Sequence, residues 1–222
     1  MLVTQPHLSP DKVGPWFKVI REESLKMKRV VELLVDVAAI EAGRVSIAPR
    51  AVAPADLVDE RLTVWRKNAP HRAADMKRRV AANLPDVFVD PVWLVKALDE
   101  LIDNAVKWTS VGTAITLTAS LTEDRRRVRV AVRDAGPGID ADKLDSVFTR
   151  FEQVDGSATR RVGGLGLGLS FVRRLAQDTG LPLTVTSALG RGAEFALDLP
   201  LADGAKIPPP RPRRLQRARL PG

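Results

Sequence analysis

The sequence predicts an α+β fold: a two-layer α/β sandwich, with helices on one face of a mostly antiparallel sheet, preceded by a long coiled-coil-like helix. Three observations lead there. Residues 115–121 and 128–132 alternate apolar and polar with a period of two, and only a short polar stretch separates them. Residues 91–108 instead repeat apolar side chains at helical spacing, and residues 13–38 carry them in a 3,4 alternation. Runs of strands mixed with helices, without strict β-α-β alternation, belong to sheets covered on one face.

The long helix is predicted over Asp11–Ala42. Its seam is Val13, Phe17, Ile20, Ser24, Met27, Val31, Leu34 and Ala38. Pro15 falls in its first turn and Gly43 is a natural stop. A single apolar stripe cannot bury itself, so this helix needs a partner helix. A short strand follows, with Val45 and Ile47 on one face, then a helix over Asp56–Asn68 and strands over Met76–Val80 and Val87–Val89. Asp90-Pro91 opens the next helix, with aspartate as N-cap and proline at the first helical position. That helix runs to about Trp108 and buries Leu94, Leu98, Leu101 and Ala105. Two strands follow, joined by a hairpin loop at Thr122–Arg125, and then a short helix near Ala141–Phe148. A polar stretch, Gln153–Val162, leads to the glycine run Gly163-Gly164-Leu165-Gly166-Leu167-Gly168, which opens a helix ending at Thr179 before Gly180. Leu183 and Val185 mark one last strand, and Phe195, Leu197 and Leu199 another.

Composition narrows the function. Apolar residues make up 45%, enough for a packed core. There is no cysteine, and two histidines are too few for a histidine-built metal site. The net charge of +8 invites a nucleic-acid reading, but six basic residues from Lys206 onward lie in a Pro/Arg tail, leaving +2 on the rest. No specific nucleic-acid role is expected, and the tail is expected to be disordered. No apolar run approaches the ~20 residues that span a bilayer and no signal peptide is visible, so a cytoplasmic placement is expected, alone or as part of a larger anchored protein.

Four segments carry candidate chemistry. Asp134 shares the parity of Val128, Val130 and Val132, which turns its carboxylate toward the buried face, where it needs a partner such as an adenine amino group. Gly136-Pro137-Gly138 beside it permits close backbone approach; an ordinary turn is the plain alternative. On the helix before, Asn104 is an uncharged oxygen ligand suited to Mg²⁺, with Lys107 placed for phosphate and Glu100 for orienting or deprotonating a nucleophile. The plain alternative there is a solvated face with an Asp103–Lys107 ion pair. Phe148 and Phe151 suit the anchoring of a lid, with Arg150 free for phosphate charge. The glycine run at a helix start suits an anion, although neither the P-loop nor the dinucleotide fingerprint is present; by itself it reads equally well as a hinge.

In order, Glu-Leu-Ile-Asp-Asn-Ala (100–105), Asp-Ala-Gly-Pro-Gly-Ile (134–139), Phe-Thr-Arg-Phe (148–151) and the glycine run resemble the N, G1, F and G2 boxes of the sensor histidine kinases of two-component systems. These belong to the wider ATPase superfamily of gyrase, Hsp90 and the MutL proteins. Gly190-Arg191-Gly192-Ala193-Glu194-Phe195 resembles the closing strand motif, and Ile40-Glu41-Ala42-Gly43 looks like the end of the second helix of the dimerisation hairpin. The resemblance implies a Bergerat-type ATP-binding fold over residues 44–202, a hairpin remnant over 1–43 and the tail over 203–222. It implies that Asn104 holds Mg²⁺, Asp134 the adenine amino group, Gly136 and Gly138 the base pocket, and Lys107 and Arg150 the phosphates. Trp108 and Phe151 would lie by the nucleotide, and Gly164, Gly166, Leu167 and Gly168 would turn amides on the phosphates beneath a lid of about 152–162. The implied activity is transfer of the ATP γ-phosphoryl group to a histidine, then to an aspartate of a response-regulator receiver domain, with homodimerisation through the first helix.

Three departures qualify this. His7 and His71 do not match an acceptor motif, so the chain is expected to lack the acceptor helix and not to autophosphorylate alone. Glu100 stands where many histidine kinases carry asparagine, and Glu-x-x-x-Asn resembles the superfamily's ATPases and serine kinases, which keeps hydrolysis open. Ala193 replaces a common threonine or serine. A non-catalytic partner of an intact kinase, pairing through the Val13–Ala38 stripe, is the third reading.

Overall fold

A computed structural model of the chain describes residues 10–149 and 166–202. The structure opens with α1 (Pro10–Glu41), which left-handed Gly43 terminates. Because α1 starts at Pro10, Pro15 sits inside the helix rather than in its first turn, at the expense of one main-chain hydrogen bond. The expected strand at Val45–Ile47 is irregular chain. The strand forms instead as β1 (Arg50–Val52), which pairs antiparallel with β3 (Val87–Val89) in a separate two-stranded ribbon.

Between them lie α2 (Pro54–Asn68), a 3-10 segment at Pro70–Asp75 and β2 (Met76–Val80). Then come α3 (Pro91–Trp108), β4 (Ile115–Leu121) and β5 (Arg127–Asp134). The loop between β4 and β5 turns on left-handed Arg125, whose amide donates to the Thr122 carbonyl. The short helix expected at Ala141–Phe148 is two 3-10 turns, Ala141–Lys143 and Ser146–Phe148. Finally α4 (Gly168–Thr179) precedes β6 (Leu183–Ser187) and β7 (Ala193–Pro200), and left-handed Gly180 closes α4.

The main sheet has the order β2-β4-β5-β7-β6 and is antiparallel apart from the parallel β2–β4 pair at its edge. Ile115, Leu117, Val128, Val130, Val132, Phe195, Leu197 and Leu199 turn one face inward onto Leu94, Leu98, Leu101, Ile102, Phe171 and Val172. The opposite face is polar; on it Arg129 makes a bidentate pair with Asp198 across β5–β7, at 2.7 and 2.8 Å. Asp90 caps α3 as its sequence position predicts, accepting from the Val92 and Trp93 amides.

Two polar centres lock the helical layer. Asp99 of α3 accepts from Trp65 Nε1 at 2.7 Å and pairs with Arg61 of α2 at 3.1 Å. Arg72, 1% exposed, sends its guanidinium to Asp75 and to the carbonyls of Val106, Thr109 and Thr113, with Thr109 Oγ1 as a further acceptor. It thereby satisfies the carbonyl-rich end of α3. Among the described residues no helix is long and apolar enough to cross a membrane.

The Val13–Ala38 seam of α1 is exposed over Phe17, Ile20, Met27, Val31 and Leu34. A second stripe, not foreseen, faces the body: Val37 and Ile40 are buried, and Leu33 packs beside them. At about 100° per residue the two stripes lie on opposite sides of the helix.

Candidate functional site

β5 ends on Asp134, directly opposite Ile115 of β4, and the pleat carries its carboxylate inward, where the residue is 6% exposed. Oδ1 accepts from the amides of Gly136 at 2.8 Å and Ala193 at 3.3 Å. Among the described residues Oδ2 has no donor. Burial pushes this carboxyl above the usual carboxylate range, and the two amides pull it only partly back. The result is a fixed, desolvated acceptor at the mouth of the sheet.

The backbone closes tightly around it. A Cβ on Gly136 would lie 2.7 Å from the Trp108 carbonyl and 2.8 Å from Asp134 Oδ1. Gly138 and Gly192 are left-handed, and a Cβ on either would stand 2.0 Å from a main-chain oxygen, that of Ala188 and Asp134 respectively. One hydroxyl joins the two turns: Ser187 Oγ accepts from the Ile139 amide at 2.8 Å and donates to the Gly192 carbonyl at 2.7 Å. Gly190 N donates to the Pro137 carbonyl at 2.7 Å.

On α3, Glu100, Asn104 and Lys107 share a face. Asn104 is half-buried and its side chain has no hydrogen bond among the described residues. Lys107 pairs with Asp103 at 2.5 Å, the plain arrangement that its spacing allowed. Glu100 is mostly buried, and burial raises its carboxyl despite the pull of Arg29. A Cβ on Gly168 would lie 2.3 Å from Glu100 Oε2, so α4 begins directly against this carboxylate. Left-handed Gly166 turns the chain into α4, and Leu167 is buried. Leu167 stands at the N-cap with no side chain to cap the first amides, which leaves that end receptive to anionic oxygens.

Trp108 is half-buried at the last position of α3. Phe148 is 3% exposed and meets Phe195 edge-on at 6.1 Å. Arg150, Phe151, the 152–162 segment, Gly164, His7 and the 203–222 tail lie outside the described residues, and His71 is exposed on the 3-10 segment. The structure thus brings Asp134, Gly136 and Gly138 together at one end of α3. Glu100 and the start of α4 meet further back along the same helix.

Sequence reasoning left three participants off the site. Gly192 and the Ala193 amide help hold Asp134; the glycine of Arg191-Gly192 was a signal for the first, but only pairing of β7 with β5 exposes the second. Arg29 reaches Glu100 across 71 residues of chain, and nothing in the sequence marks it.

Comparison with known proteins accords with this geometry. Residues 89–203 match the family described as histidine kinase-, DNA gyrase B- and HSP90-like ATPase. The chain is 28% identical over 203 residues to the sensor protein GacS of Pseudomonas syringae pv. syringae, covering 90% of this chain and 22% of that protein. It is 31% identical over 196 residues to the sensor protein SrrB of Staphylococcus aureus (strain N315), covering 86% and 32%. The chain therefore spans a third or less of the length of these curated relatives. Among solved structures it is similar to full-length ShkA in complex with AMPPNP, with a TM-score of 0.73 at 28% identity, over 89% of this chain and 40% of that one.

Proposed function

Since the chain belongs to the histidine kinase-, DNA gyrase B- and HSP90-like ATPase family and carries an ATP-binding catalytic region like that of the sensor histidine kinases, we propose that it delivers the γ-phosphoryl group of ATP to a histidine. From there the group would pass to an aspartate on a response-regulator receiver domain. The observation that carries this reading is Asp134: a buried carboxylate, oriented by two amides through one oxygen, with the other oxygen open beside Gly136. An adenine amino group is the neutral donor that such an acceptor fits.

In this reading the base lies against Asp134 and the Gly136–Gly138 turn, and the phosphates run toward the start of α4. Amides of Gly166, Leu167 and Gly168, with Lys107, would receive phosphate oxygens, and Trp108 would flank the nucleotide; Gly164 and Arg150 for the phosphates and Phe151 for the nucleotide are assigned by the motif match alone and lie outside the described residues. Mg²⁺ fits the donor set. Among the described residues there is no acidic or histidine cluster for a free-standing metal site, but Asn104 offers an unengaged amide oxygen, and magnesium takes few protein ligands when phosphates supply the rest. Bound there, it would neutralise phosphate charge, while the protein's contribution is position. Domain limits of 1–43, 44–202 and 203–222 follow, with α1 as half of a dimerisation hairpin whose exposed seam receives its partner helix.

The test is binding of Mg-ATP by the chain, followed by incubation with γ-labelled ATP. Binding without label on His7 or His71 is expected. No nucleotide binding overturns the reading, and acid-labile label on either histidine overturns the assignment of the acceptor to another helix.

One observation favours a second outcome for the same nucleotide. Glu100 sits against the first residue of α4, where the terminal phosphate would end, and a carboxylate there suits activation of water.

A further inference from the structure

We propose that Arg29 of α1 is a positioning residue that restrains Glu100, so that the helix docked on the catalytic body suppresses hydrolysis of the bound nucleotide. The proposal rests on the ATP-site reading above and adds the control of its base.

The contacts are specific. Arg29 Nη2 and Nε reach Glu100 Oε1 at 2.9 and 3.3 Å, and Nη1 reaches Asp103 Oδ1 at 3.1 Å. Arg29 thus bridges the two carboxylates, sharing Asp103 with Lys107 while Glu100 has it as its nearest cation. Glu100 is therefore held through Oε1 on the guanidinium, while Oε2 lies beside the start of α4. A general base needs a lone pair aimed at a water and a proton affinity close to that of the medium. Two N–H donors from one guanidinium, both on Oε1, fix the direction in which the carboxylate points and counter the rise in proton affinity that burial produces. In the suppressed reaction a water oxygen would bond to the γ-phosphorus, the bond from that phosphorus to the β–γ bridging oxygen would break, and the water's proton would pass to Glu100 as ADP and phosphate leave.

Arg29 is 41% exposed, so its head group can leave for water, whereas Glu100 at 12% cannot. A second pair, Lys96 Nζ with Asp36 Oδ2 at 2.6 Å, holds α1 to α3 further along. The body-facing stripe and the exposed seam occupy opposite sides of α1, so a partner helix on the seam and Arg29 on Glu100 do not compete for surface. A shift of α1 along the body would free the base without disturbing the nucleotide pocket.

The experiment measures phosphate release from Mg-ATP, after AMPPNP binding has been recorded for each variant. Arg29→Ala should raise kcat at least about tenfold, a small part of what a positioned base supplies, with KM unchanged. Arg29→Lys should keep the low rate, because it preserves the cation. Arg29→Ala combined with Glu100→Gln should lose the gain. Asp36→Asn, which loosens the helix without touching the site, should raise the rate in the same direction. An Arg29→Ala rate equal to or below that of the unmodified protein, with AMPPNP binding intact, overturns the proposal. So does a gain that survives Glu100→Gln. Failure of the unmodified protein to bind AMPPNP overturns the site reading itself, and the proposal with it.

Discussion

Asp134→Asn separates binding from folding more cleanly than any other change in this site. The substitution is isosteric. Its amide oxygen can keep the place of Oδ1, accepting from Gly136 and Ala193, which puts an NH₂ donor where Oδ2 now stands open. An adenine amino group would then meet a donor in place of a charged acceptor. Hydrogen bonds to charged groups are worth about 1.5–3 kcal/mol, so ATP affinity should fall by roughly 10- to 150-fold. Stability should move the other way. The folded carboxyl is raised chiefly by burial, so the stability tied to it is fully present below its ordinary range and is lost as pH rises through the raised value. At neutral pH the buried charge is a cost that asparagine lacks. The variant should be at least as stable as the parent at about pH 7, and the parent should recover its deficit as pH falls through the raised value toward the ordinary carboxylate range at about pH 4. Calorimetric titration with ATP and urea unfolding at both pH values test the two halves. Unchanged affinity would refute the adenine assignment, and affinity lost together with marked destabilisation would show Asp134 to be a folding residue instead.

Three further outcomes follow from the geometry. Arg72→Ala strips the donor from buried carbonyls at the end of α3; each acceptor left unpaired costs about 1–3 kcal/mol, and urea unfolding should show a clear loss of stability. Gly192→Ala forces a side chain into a left-handed residue, worth about 1–3 kcal/mol before any overlap with the Asp134 carbonyl, and should lower both the melting temperature and ATP affinity. Gly168→Ala differs: its Cβ would lie 2.3 Å from Oε2 and 3.3 Å from the carboxyl carbon of Glu100, a mostly buried side chain that Arg29 also holds, so the carboxylate must move; phosphate release should change, and the melting temperature should fall less than in Gly192→Ala.

Much of the fold was legible because local chemistry and tertiary packing agree. The Asp90 cap, the Leu94–Ala105 stripe, the alternation through Val128–Val132 and the Gly180 stop each specify an element by themselves, and the structure keeps them. Val45 and Ile47 misled because two apolar residues in alternation need a neighbouring strand, and β3 pairs with Arg50–Val52 instead. The parallel β2–β4 pairing was hidden because β2 exposes Lys77, Arg78 and Arg79 and so carries little face pattern. In the candidate site, Asp134 could be placed by parity alone. Arg72 and Arg29 could not: each acts on residues more than thirty positions away, and an arginine in sequence looks the same whether it meets water or a buried carbonyl.

The Ser187 hydroxyl has a consequence for how nucleotide binding divides its costs. By bridging Ile139 and Gly192 it ties the turn after β5 to the turn between β6 and β7, so the end proposed to take the base is held at a set width by folding itself. The entropy of shaping that mould is spent before any ligand arrives. Entry of the base should then bring little backbone adjustment, and the conformational response to ATP should gather at the phosphate end. A Ser187→Ala protein should bind adenine compounds more weakly with a larger entropic penalty, through loss of the Ile139–Gly192 bridge.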